Sequence, residues 1–246
     1  MKSLLAALLI LGASTTFAQN DTVYRYIPNP KPTSAKDSIA VVNKLVKEGS
    51  GWHLFQYSYS DNVLIYDEPL ADSSAKTTIV NGVRRSYYES GRLKDSAIYE
   101  KGNTVLLYHY YKSGPLMAIV HFDKKGDFVS VEGKDSTGKR IPGFIYQQQA
   151  AFNGGDKAWR EYLAASMVKK QPKAFQKGTI GGEVVIDFLV DKQGHITDVT
   201  VTKSSGYPEL DEHALNIVKK GPDWSPAIQY NQPVIYRMRQ ALTYAN

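Results

Sequence analysis

The 246-residue chain contains no cysteine. Disulfides, thiolate nucleophiles, thiolate metal ligands and a cysteine-linked lipid anchor are therefore excluded in any redox compartment. Long apolar runs are scarce as well. The one continuous run, Leu4 to about Ala13, spans roughly ten residues, whereas a membrane-crossing helix needs about twenty. Histidines are few, and His53, His109, His121, His195 and His213 show no metal-ligand spacing with one another or with acidic residues, so no metal site is predicted. The glycines between Gly178 and Gly182 lack the Lys-Ser/Thr that follows them in a phosphate-binding loop. Ser204, Ser205, Asp211 and His213 supply the residue types of a hydrolytic triad. No nucleophile elbow frames them, and helix geometry explains each one. With no acid–base or nucleophile constellation, the chain reads as a non-enzyme with no catalytic residues and no cofactor.

What the chain does have begins at its N-terminus, MKSLLAALLILGASTTFAQN. One lysine, an apolar run and small residues up to Thr16-Phe17-Ala18 follow the order of a secretory signal peptide, with cleavage near Ala18. The reading is an exported protein with no membrane span after cleavage; an uncleaved anchor is the alternative. The basic excess of +6 is dispersed. With export, it argues against nucleic-acid binding. The densest cluster, Lys169, Lys170, Lys173 and Lys177, has an ordinary reading as a solvated helix end and loop, and a functional one as a surface for anions.

Four regions follow along the chain: a signal peptide (1–18), a proline-containing spacer with a short helix (19–50), an antiparallel β-repeat region (51–145) and a C-terminal domain (146–246). In the second, Ile27-Pro28-Asn29-Pro30-Lys31-Pro32 is extended. Thr33 or Ser34 then caps a helix whose apolar face is Ile39, Val42, Leu45 and Val46, ended by Gly49 to Gly51. From Trp52 the pattern becomes β, with two strands around Ser60-Asp61-Asn62. A repeat then appears: Gly91, Leu93 and Tyr99 recur as Gly114, Leu116 and Phe122, and a degenerate copy holds Gly138 and Ile141. The unit is strand, Ser-Gly turn, strand, Lys-Gly-Asn/Asp turn. Glycine supplies the positive φ of the turns, and copies pair in order as a meander because one unit cannot bury its face alone. The repeats over about 78–142 resemble the MORN-like β-hairpin family.

After Gln147-Gln148-Gln149, Asp156 caps a helix whose stripe is Trp159, Tyr162, Leu163 and Met167, and Pro172 closes it. The segment EVVIDFLV alternates, with Val184, Ile186, Phe188 and Val190 on one face and Glu183, Asp187 and Asp191 on the other. Asp191-Lys192-Gln193-Gly194 turns it into a second strand, HITDVTVTK. Pro208 opens a helix with acids in its first turn, lysines in its last and a buried stripe of Leu210, Ala214, Ile217 and Val218. After Trp224-Ser225-Pro226 comes a final strand. The order helix, strand, strand, helix, strand defines a two-layer α+β domain.

Three runs then fix a resemblance: F-N-G-G-x3-W-x2-Y-L at 152–163, G-G-x-V-x3-F-x-V-D-x2-G-x-I-x-D-V-x-V at 181–201, and S-x-G-Y-P-E-L-D-x2-A-L-x2-V-K with P-x-W-x-P-A between Ser204 and Ala227. Residues 152–243 resemble the C-terminal domain of TonB, of the Bacteroidetes type. The resemblance implies the α+β order above and a periplasmic location. It also implies transport-associated binding of an outer-membrane transporter or other envelope protein, whose peptide segment is added as a strand beside the last strand, about Val234 to Thr243. The peptide-binding residues it implies are Val234, Ile235, Tyr236, Arg237, Met238 and Arg239. The edge physics fits, since unpaired N–H and C=O groups accept an extended peptide. Two alternatives stay open: an assembly protein that homodimerises through this edge, or an anchored energy transducer if the N-terminal segment is retained. The chain departs from the family by reading KKQPKAF where an aromatic–proline pair follows the first helix, and Gln240-Ala241 where the last strand carries proline.

Overall fold

The structure is a computed structural model that describes residues 16–19, 22–30, 39–74 and 81–245. The apolar run from Leu4 and residues 31–38, with Lys31, Pro32 and the expected cap at Thr33 or Ser34, lie outside the described residues. The chain divides into two units, Met1–Pro142 and Gly143–Asn246.

In the first unit, the described strands form one eleven-stranded antiparallel sheet in which every strand lies beside its sequence neighbours. The strands are β1 (Thr16–Gln19), β2 (Thr22–Pro28), β3 (Ile39–Glu48), β4 (Gly51–Ser58), β5 (Leu64–Leu70) and β6 (Gly82–Tyr87). They continue as β7 (Leu93–Glu100), β8 (Asn103–Tyr110), β9 (Leu116–Phe122), β10 (Phe128–Lys134) and β11 (Arg140–Ile141). This is the meander that the repeats predicted; their kinship with MORN-like proteins remains a resemblance.

The turns show how the sequence sets it. In Asp123–Asp127 and Asp135–Lys139, the first residue's N–H donates to the carbonyl four residues on, at 2.9 and 2.8 Å. The aspartate Oδ1 accepts the N–H groups two and four residues later. Gly126 and Gly138 stand at φ 87° and 91°, where a side chain is strained. The repeat also carries a tyrosine bracket. Tyr88 donates its hydroxyl to the Tyr110 carbonyl at 2.6 Å, and Tyr111, its counterpart in the next copy, donates to the Lys134 carbonyl at 2.8 Å.

The helix expected from Thr33 or Ser34 to Gly49 is corrected over its described part, because Ile39–Glu48 is strand β3, paired with β2 and β4. Ile39, Val42, Leu45 and Val46 satisfy a helical spacing, but the segment is rich in β-branched residues and its buried positions, Asn43 and Leu45, lie two apart. Leu45 packs with Leu54 and Leu70, and the Gln56 amide donates to the Asn43 side-chain oxygen at 2.8 Å. Pairing on both edges outweighs the weak helical preference of an isolated segment.

In the second unit, short strands β12 (Gln147–Gln148) and β13 (Ala151–Phe152) precede helices α1 (Gly155–Met167) and α2 (Lys173–Gln176). Hairpin β14 (Gly182–Val190) and β15 (Ile196–Lys203) is followed by α3 (Pro208–Lys219). Next come β16 (Trp224–Ser225), β17 (Ala227–Gln229), β18 (Gln232–Val234) and β19 (Tyr236–Tyr244). The main sheet has the order β15-β14-β19, and β13 pairs with β16 and β12 with β17. Helix–strand–strand–helix–strand is thus the frame of an α+β domain.

Val184, Ile186 and Val190 are fully buried, and they pack with Leu163 of α1 and Leu210, Ala214 and Val218 of α3. Trp224 is buried among the rings of Phe152, Trp159 and Phe188, with centroids 5.1–5.7 Å away. Asp156 is not the cap of α1. Gly154 holds that place at φ 92°, and Asp156 lies in the first turn, where its charge faces the helix dipole. The helix ends at Met167, before Pro172, which instead precedes α2.

Candidate functional site: the edge of the last strand

The sheet of the second unit has two edges, and they differ. The β14–β15 ladder shifts register between Val185 and Ile186 and again between Asp187 and Leu189. Asp198 of β15 stands at φ 49°. Such irregularities bend an edge and interrupt its row of donors and acceptors. The β14–β19 ladder has no shift and runs through nine pairs, from Gly182↔Tyr244 to Val190↔Tyr236. Among the described residues, no strand pairs with the other edge of β19.

Alternation gives β19 two faces. Leu242 and Tyr244 are buried in the core, and Tyr236 and Met238 pack against it. Arg237, Arg239, Ala241 and Thr243 point outward and are exposed. Gln240 faces inward, and its Oε1 accepts the indole N–H of Trp159 at 2.7 Å. At the position where the resemblance implies proline, this chain therefore locks its last strand to α1 by a side-chain hydrogen bond.

Of the six residues expected to meet a peptide, Tyr236, Arg237, Met238 and Arg239 form the first half of β19. Val234 does not belong to it: it ends β18 and pairs with Ala227. Ile235 links the two strands and is 58% exposed. The strand therefore begins two residues later than the sequence suggests, because Tyr230 and Asn231, both at positive φ, turn β17 back into β18 first.

The two arginines are not equivalent. Arg239 reaches across to Asp187 of β14, its Nε and Nη2 donating to Oδ1 and Oδ2 at 2.7 and 2.9 Å. This bidentate pair is geometrically selective. Arg237 lies 3.9 Å from the same carboxylate and is 75% exposed at its side chain. The hydrogen bonds from Arg239 hold the Asp187 carboxyl below the usual carboxylate range against the opposing effect of burial, with the charges of both arginines adding to the shift. Arg239 is thus engaged within the sheet by hydrogen bonds, and Arg237 is the more loosely held and more exposed cation. The sequence placed Asp187 on the outward face of its strand; its pairing required the β14–β19 register.

Of the triad-like residue types, the serines meet Asp211 and His213 bonds elsewhere. Asp211 accepts from Ser204 Oγ at 2.5 Å and from Ser205 N and Oγ at 2.9 and 2.8 Å, which ties the loop to the start of α3. His213 is half-buried and bonded on both ring nitrogens. Its Nε2 donates to the Lys169 carbonyl at 2.7 Å, and its Nδ1 meets the Tyr244 hydroxyl at 2.8 Å. Among the described residues, no group of three or more His, Cys, Asp or Glu side chains is placed to hold a metal. Among them, too, no helix is long and apolar enough to cross a membrane.

A two-layer α+β domain whose last strand leaves a regular edge open presents an unpaired row of backbone donors and acceptors on β19. Residues 169–245 match the family described as Gram-negative bacterial TonB protein C-terminal. The second unit thus carries a TonB C-terminal domain, a kind of domain associated with the envelope and transport. No curated protein matches the chain.

Proposed function

We propose that this protein is an exported, periplasmic binding module, not an enzyme, that captures an extended segment of an outer-membrane transporter or another envelope protein by adding it as a strand to β19. The observation that carries the reading is the contrast between the two edges, an uninterrupted nine-pair ladder behind β19 and a twice-shifted one behind β15. A regular strand offers evenly spaced backbone donors and acceptors, so main-chain hydrogen bonds supply affinity and alternate side chains supply selectivity. Arg237 then meets a carboxylate of the incoming strand, while the Arg239–Asp187 pair keeps the sheet in register.

The signal-peptide reading places the domain where such segments are presented. The test is a titration of the purified chain with peptides covering the extended N-terminal segments of outer-membrane transporters. Saturable binding that Arg237→Glu weakens supports the reading, and no binding at about 1 mM peptide, an affinity near −4 kcal/mol, sinks it. The alternative of a homodimer through β19 is checked by light scattering. Two copies of β19 would bring their Arg237 side chains onto one sheet, and like charges oppose that pairing.

A further inference from the structure

The lysines between α1 and α3 line a groove of about 1130 Å³, wholly within the second unit and apart from the Arg237–Arg239 face of β19. Lys169, Lys170, Lys173 and Lys177 come from the segment that leaves α1 and forms α2, and Lys220 comes from the end of α3. All five are exposed, and among the described residues none of their ammonium groups makes an ion pair. Two glutamates, Glu209 and Glu212, line the groove from α3. Tyr162, Pro172, Ala174 and Ile217 give it an apolar lining.

The groove is held in shape. Lys170 stands at φ 51°, reversing the chain after α1. His213 holds the Lys169 carbonyl and Tyr244 at once, which ties this loop to α3 and to β19. The Tyr162 hydroxyl donates to the Ile217 carbonyl at 2.8 Å and fixes α1 to α3 within the groove.

We propose that this groove is a second docking surface, for an acidic peptide segment of a protein partner, independent of strand addition at β19. Charge complementarity selects the occupant. Five free ammonium groups within one concave surface repel one another, and a partner's carboxylates relieve that repulsion. The same surface carries Glu209 and Glu212. A uniform polyanion or an anionic membrane brings negative charge against them as well, at a cost, whereas a peptide sets carboxylates toward the lysines and backbone N–H groups or basic side chains toward the glutamates. The apolar lining takes the peptide's alternate apolar side chains.

The test uses the full chain and a labelled peptide of glutamates interspersed with leucines, followed by fluorescence anisotropy. A lysine-for-glutamate version and phosphatidylglycerol vesicles serve as comparison probes. The expected result is saturable binding of the acidic peptide only, weakened about tenfold or more by K173E/K177E and by added salt. The control K192E, on the turn after β14, leaves it unchanged, and circular dichroism confirms that each variant is folded. R237E also leaves it unchanged, which separates this groove from the strand-addition reading. The proposal is overturned by the absence of saturable binding at about 1 mM peptide. It is equally overturned if K173E/K177E binds like the parent, if R237E abolishes binding, or if the vesicles bind the lysines more tightly than the peptide does.

Discussion

Gly194 shows how much one residue can decide. It closes the turn after β14 at φ 95°, and a Cβ there would lie 2.0 Å from the Trp224 backbone oxygen. The Gly194 carbonyl also accepts the Trp224 N–H at 2.8 Å, so turn and strand are in direct backbone contact. Gly194→Ala is expected to cost about 3 kcal/mol or more, read as a lower urea midpoint, because neither backbone can yield without losing that bond. At Asp187 the effect depends on pH. Its folded pKa lies below its unfolded value, so its pairing stabilises the fold above the unfolded carboxylate pKa, about 3.9, and the contribution disappears as pH falls through the folded value. In thermal melts between about pH 2 and 7, Asp187→Asn is therefore expected to be less stable near neutrality, with the two curves converging in acid.

Among the elements, α3 has the fullest set of local signals. Pro208 stands at its first position, Glu209 and Asp211 in its first turn and Lys219 in its last, and Leu210, Ala214, Ile217 and Val218 are its buried stripe. Leu210 has no exposed surface, so Leu210→Ala is expected to cost about 2–5 kcal/mol in chemical unfolding. Strand β19 depends on its neighbours instead. The Gln240–Trp159 bond ties it to α1, and Trp159→Phe, which keeps the ring contact but removes the N–H, is expected to cost about 1 kcal/mol through the lost, half-buried hydrogen bond. Strand β3 is the element where local reading failed. Its apolar residues fit two periods, and the choice was made by pairing with β2 and β4 and by the contact of Leu45 with Leu54 and Leu70.

For the molecule as a whole, each unit has a construction of its own. The second unit's core draws on residues from Ala150 to Tyr244 alone. A fragment spanning 143–246 is accordingly expected to fold, with a cooperative melt and an α+β far-UV spectrum. The first unit is a ladder of nearest neighbours, so its stability is expected to resemble a sum of strand-pair contributions. The export reading has its own check, since mass spectrometry of the native protein should find a chain beginning near Gln19.

The sequence alone was enough for the punctuated parts. Asp-x-x-Gly turns, alternating strands and a helix opened by Pro208 with acids first and lysine last are written in residues a few positions apart, and they specify a β meander and an α+β domain before any long-range contact is made. Family kinship was legible for the same reason, because its motifs are the turn and packing residues themselves. Tertiary structure decided what depends on residues far apart in the chain: β3 as strand, Val234 outside the last strand, Arg239 bidentate to Asp187 while Arg237 only borders it, and His213 of α3 joining the loop after α1 to β19. Those outcomes rest on register and on groups brought together across tens of residues. A local pattern carries no information about which partner the fold will place opposite each side chain.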